Sequence, residues 1–100
     1  MHAIVIGTND MVAGFRLVGI SGVVVSTVDE AKHALLKSME NIDVAIVMIS
    51  ETFSTDLRKN IDELRLNRLA PLIIELPDRP GSFSAIDMSK IVGNAIGVKV

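Results

Sequence analysis

One hundred residues are enough for one hydrophobic core and exclude two. The 49% hydrophobic content with only 3% aromatic residues predicts a core of Val, Ile, Leu, Ala and Met, the composition of a parallel sheet covered by helices. A formal charge of −2 leaves no basic face for nucleic acid and no polybasic anchor for anionic lipid, and the lack of cysteine excludes disulfides, thiolate nucleophiles and most structural zinc sites.

The cysteine-free composition fits a reducing compartment. Met1 leads directly into an apolar strand without a basic n-region, and no apolar run approaches spanning length. The expectation is a soluble, cytoplasmic protein.

Ala3 to Ile6 is a short apolar run ended by Gly7, which predicts a buried strand meeting a turn. Thr8-Asn9-Asp10 supplies helix caps and an acid for the first turn, where a side-chain oxygen and negative charge satisfy the free N–H groups. The first helix is predicted through Met11, Val12, Phe15 and Leu17, with Phe15 and Leu17 in the core. It should stop at Gly19, with Ile20 making the hydrophobic contact of a left-handed cap.

Val23-Val24-Val25 is the second predicted strand, β-branched and stiff in the extended state. Thr27 and Glu30 have the spacing of a capping box for a second helix, predicted to about Met39 with Ala31, Ala34, Leu35 and Met39 on one face. Asp43 to Ile49 is the most apolar run and predicts a central strand.

From Ser50 to about Leu69 the pattern is helical, with Phe53, Leu57, Ile61 and Leu64 forming one stripe. Arg58, Lys59, Asp62, Glu63, Arg65 and Arg68 are expected mostly as a solvated surface. Leu72 to Leu76 is the fourth strand, fenced by Pro71 and Pro77, and Pro77 to Gly81 forms a stiff turn. Ser84 can cap a last helix whose Met88, Ile91, Val92, Ala95 and Ile96 recur at helical spacing.

Strands alternating with helices imply parallel pairing and right-handed crossovers. The expected fold is α/β: a small four-stranded parallel sheet of order 2-1-3-4, flavodoxin- or Rossmann-like and three-layered, with a C-terminal helix. The first and last helices then share one face and the middle two share the other. Residues 1–100 are expected as a single domain, divided into a core at 1–77 and a hinge turn, helix and short tail at 78–100. Core packing is the default role of the last helix, and its loss would expose an apolar patch.

Ligand sites in such sheets lie at the carboxyl ends of the strands. Only Gly7 and Gly14 stand where a dinucleotide site needs a Gly-rich fingerprint, and the P-loop Lys is absent. A receiver-type phosphoacceptor needs an Asp ending the third strand and a Lys after a later one. The third strand ends Met48-Ile49-Ser50, and no Lys is near Leu76. His2 and His33 stand alone, without a partner at metal spacing. The pattern predicts no catalytic residue, no cofactor and no metal. Asn9, Asp10, Ser50 and Glu51 keep open an alternative, a stand-alone receiver-like or small-molecule-binding regulatory domain.

Gly14-Phe15-Arg16-Leu17-Val18-Gly19-Ile20 resembles the G-F-R-L-A-G-I motif of the F subunit of archaeal-type and V-type rotary ATPases. Pro71-Leu72-Ile73-Ile74-Glu75-Leu76-Pro77, followed by Gly81, is similar to that family's P-L-I-x-x-I-P segment and glycine. Ile96-Gly97-Val98-Lys99-Val100 resembles its short apolar terminus. Thr8 stands where the family often has an acid, and the extra loop of the eukaryotic version is missing, which favours the prokaryotic branch.

The resemblance implies a non-catalytic rotor part of the central stalk. It implies binding to the antiparallel coiled coil of the D subunit, and turning with it inside the catalytic A/B hexamer while protons or sodium ions cross the membrane sector. It also implies that the C-terminal helix moves and reaches the hexamer. Arg16, Ile91 and Val92 are the expected partner contacts. Gly14, Phe15, Leu17, Gly19, Pro71, Pro77 and Gly81 are the expected structural positions of the motifs.

Overall fold

The computed structural model describes residues 2–67 and 71–77. Strands β1 (His2–Gly7), β2 (Ser21–Val24), β3 (Val44–Ser50) and β4 (Leu72–Leu76) form one parallel sheet in the order 2-1-3-4, the order expected by likeness to flavodoxin-like folds. The helices are α1 (Asn9–Arg16), α2 (Val28–Glu40), α3 (Glu51–Ser54) and α4 (Arg58–Asn67). Central β3 is buried at every position but half-buried Ala45, as an uninterrupted apolar strand between two layers should be. Ala45 is the extra residue of a bulge, because His2 pairs with Val44 and Ala3 with Ile46.

The core is split by the sheet. On one face Ile6, Val47, Ile49 and Ile73 pack with Leu35 and Met39 of α2 and with Phe53, Leu57 and Ile61 of α3, α4 and their junction. On the other, Val5, Ile46, Met48 and Leu76 share a cluster with Met11, Val12 and Phe15 of α1. The α1 and α2 to α4 layers thus fall on opposite faces, as right-handed crossovers in this strand order require.

Two of the three caps expected within the described residues form as the sequence predicts, while Thr8 stands at the N-cap of α1 in extended backbone without the expected side-chain hydrogen bond. The Thr27 hydroxyl accepts from the Glu30 N–H at 3.1 Å. The Glu30 carboxylate accepts from the Ser26 N–H at 3.1 Å, one residue earlier than in the usual reciprocal box. Gly19 has φ +84°; its N–H donates to the Arg16 carbonyl at 3.0 Å, and the Ile20 N–H donates to the Phe15 carbonyl at 3.1 Å. These are the two bonds of a Schellman cap, and Ile20 packs on the α1-side core behind it.

Three further expectations change. The helix predicted from Ser50 to about Leu69 is two helices, broken at residues 55–57. The Thr55 hydroxyl takes the Glu51 carbonyl at 3.0 Å while the backbone N–H stretches to 3.4 Å, and Leu57 bonds three residues back to Ser54 at 3.1 Å. This local competition tightens the turn and buries Leu57. Secondly, β2 begins at Ser21 and ends at Val24, with Val25 buried just beyond it.

The third is Leu17, expected in the core but 75% exposed. It follows Phe15 by two residues, about 200° around a helix, so it cannot share the Met11, Val12 and Phe15 face. Residues 68–69 of the predicted third helix, the turn beyond Pro77, and the last helix with Gly81, Ile91 and Val92 lie outside the described residues.

Candidate functional site

The carboxyl ends of the strands carry helix caps and first-turn acids. Ser50 is fully buried, and its hydroxyl accepts from the Thr52 N–H at 3.2 Å to cap α3. Asn9 and Asp10 are exposed in the first turn of α1, and Glu51 is exposed in the first turn of α3, where acids suit the helix dipole. Gly7 is small for packing: a Cβ there would sit 2.7 Å from Met11 Sδ. His2 and His33 are exposed. Among the described residues no group of three or more His, Cys, Asp and Glu side chains can hold a metal ion.

The end of α1 is a different kind of surface. Phe15 is fully buried and holds the helix to the sheet. The next residues, Arg16 and Leu17, project into solvent. Arg16 lines a hollow of about 420 Å³ with Gly19, Ile20, Ser21 and Gly22. A guanidinium beside an exposed leucine, on a turn fixed by two backbone hydrogen bonds, is suited to gripping another protein. The motif in the sequence points to Arg16 and misplaces Leu17; counting residues around the helix from Phe15 is the signal that separates them.

A larger groove of about 660 Å³ runs between β2 and α2, floored by Ile4, Val23 and Val25 and rimmed by Asp29, His33 and Lys37. At the other end of the sheet, Arg58 pairs through both guanidinium nitrogens with Glu75 of β4, one contact measuring 2.6 Å. Arg65 donates to the Ile73 carbonyl at 2.8 Å and stands 3.7 Å from Glu75. The hydrogen bonds from Arg58 hold the Glu75 carboxyl below the usual glutamate range. The sequence alone leaves Arg58 and Arg65 as solvated charge, because nothing local shows that α4 lies beside β4. Of the motif positions, Pro71 is buried, Gly14 half-buried and Pro77 exposed.

The family model for the ATP synthase (F/14-kDa) subunit matches residues 3–92. The chain belongs to that family. It is similar to the F subunit of the A-type ATP synthase of Methanothermobacter thermautotrophicus, at 32% identity over 96% of this chain and 92% of the relative. The corresponding protein of Pyrococcus furiosus is 30% identical over 100% of this chain and 98% of its own. That of Methanocaldococcus jannaschii is 29% identical over 96% and 95%. As a member of this family, the chain is a subunit of a rotary ATPase. The family match spans Arg16 and Leu17 and extends over Ile91 and Val92. No helix among the described residues is long and apolar enough to cross a membrane.

Proposed function

We propose that this chain is the non-catalytic F subunit of the central stalk of an A-type ATP synthase. It binds the coiled-coil D subunit and helps couple ATP synthesis or hydrolysis to proton or sodium transport. The family match over residues 3–92 carries this reading. The exposed Arg16 and Leu17 beside buried Phe15 supply a contact surface on a rigid turn. In this reading residues 1–77 form the body, and 78–100 bring Ile91 and Val92 to the coiled coil and, through the C-terminal helix, to the A/B hexamer. The protein sits in the cytoplasm, peripheral to the membrane. It needs no cofactor, because its work is mechanical.

Co-expression of the full chain with a D-type coiled-coil subunit should give one co-eluting complex in size-exclusion chromatography. The chain alone should release no phosphate from ATP. Two separate peaks would overturn the reading. Arg16→Glu and Leu17→Asp should each weaken the complex by about tenfold or more, since a buried anchor or charge at an interface centre carries such effects. Unchanged affinity in both variants would move the contact away from α1 while leaving the complex itself intact.

A further inference from the structure

We infer that the free edge of β2 is an association surface whose occupant, in the isolated protein, is a second copy of this chain. The two copies pair antiparallel, strand to strand, about a twofold axis through Val23. The backbone sets the geometry. The Val25 N–H donates to the Gly7 carbonyl at 3.0 Å, so that residue faces β1. The N–H and C=O of one residue share a side and alternate along a strand. Ser21 and Val23 therefore also face β1, and Gly22 and Val24 face outward. Among the described residues no strand pairs with that outward side.

This edge lacks the usual protections. Edge strands are commonly blunted by Lys, Pro or an inward charge; β2 reads Ser-Gly-Val-Val. Val23 and Val24 are 40% and 45% exposed. The pattern is also self-complementary. With Gly22 opposite Val24 of the second copy, each N–H meets the other's C=O, and the twofold generates four backbone hydrogen bonds. The twofold closes the pair and leaves no further free β2 edge.

Charge supports the same occupant. The α2 helix runs antiparallel to β2, packed over β1 and β3, and across the groove beside β2 it places Asp29 near the Val25 end and Lys37 near the Ser21 end. Glu30 is engaged in its own cap with Ser26 and Thr27, leaving Asp29 as the acid of that rim. The twofold carries Asp29 toward Lys37 of the second copy, and the reverse, so both ends of the interface are complementary. A four-residue edge falls short of a standard interface, and the dimer should therefore be weak and concentration-dependent.

Sedimentation velocity of the full-length protein, without any partner, tests this over a wide concentration range. The expected result is a mass that rises from monomer toward dimer. Val24→Pro removes an outward N–H and spares the bonds to β1, so it should weaken dimerisation by about tenfold or more with unchanged circular dichroism. Asp29→Lys and Lys37→Asp should each weaken it, and the double reversal should restore it toward the starting affinity. A monomer at every concentration would overturn the inference and leave the edge to a strand of another protein. A Val24→Pro dimer of undiminished affinity, or a double reversal no better than the singles, would overturn the pairing geometry. None of these readouts depends on the coiled-coil partner, so they are separable from the stalk reading.

Discussion

At β4, Arg65 donates to the Ile73 carbonyl at 2.8 Å and Arg58 clasps Glu75, while at β2 the outward-facing Gly22 and Val24 have no strand beside them among the described residues. Both strands end the described sheet, but on the face they share α4 packs on β4, whereas α2 packs over β1 and β3 and leaves a groove beside β2. The difference comes from where those helices lie and what they carry. Arg58 and Arg65 are seven residues apart, two turns of α4, so both reach the same strip of β4. On α2 the matching flank holds His33 and Lys37 above an open groove. A strand is thus guarded or left available by the long side chains of its neighbouring helix, and its own residues decide less.

Three substitutions sharpen this contrast. The largest effect is expected at Gly22, where an added Cβ falls 2.7 Å from Val5 Cγ1, 2.8 Å from Val12 Cγ1 and 3.0 Å from the Val5 carbonyl oxygen. Gly22→Val should overpack the seam between β2 and α1 and cost about 1–3 kcal/mol in a urea titration. A variant of full stability would mean that β2 is held too loosely to present a defined edge.

Arg65→Ala should open β4. The loss of one charged hydrogen bond to the Ile73 carbonyl, half-exposed to water, should cost about 1 kcal/mol, and the bared strand should increase self-association in light scattering. If association is unaffected, Arg65 contributes stability only, and the contrast between the two edges is weaker than drawn.

The smallest effect belongs to Glu75→Gln. The folded carboxyl titrates below its ordinary value because Arg58 hydrogen-bonds it, with Arg65 adding its charge. A lowered folded pKa contributes stability above the unfolded value of about 4.3, and that contribution disappears as pH falls through the folded pKa. The parent protein should therefore be modestly more stable than the Gln variant at neutral pH, and the gap should close in acid. The pair is solvent-screened, so the shift should be a small change in melting temperature. A gap that stays constant down to acid pH would show that packing, and not charge, ties β4 to α4.

Much of the fold was legible because short-range chemistry and topology agreed. Thr27 with Glu30, Gly19 with Ile20, and the unbroken apolar run into Ile49 each state a local preference that the folded chain keeps. Alternation and handedness gave parallel pairing and the helix faces, while the sheet order came from likeness to flavodoxin-like folds. The errors have equally physical causes. Leu17 was grouped with Phe15 by hydrophobicity, although helical geometry turns it outward. The break after Ser54 depends on Thr55 competing for the Glu51 carbonyl, which a periodic stripe of Phe53, Leu57 and Ile61 conceals.

The candidate site divides in the same way. The exposure of Arg16 was legible in the sequence because it lies between two apolar residues that cannot share its direction. The groove beside β2 and the charges over β4 were not, since each needs residues far apart in the chain to meet. By itself the sequence determined which segments extend, which coil, and which family they belong to, because local pattern and motif carry those, while several element ends moved. Only the tertiary structure decided that Arg58 and Arg65 meet Glu75 and that, among the described residues, β2 keeps an open edge. Helix placement on the sheet converts identical local chemistry into either a shield or a surface for contact.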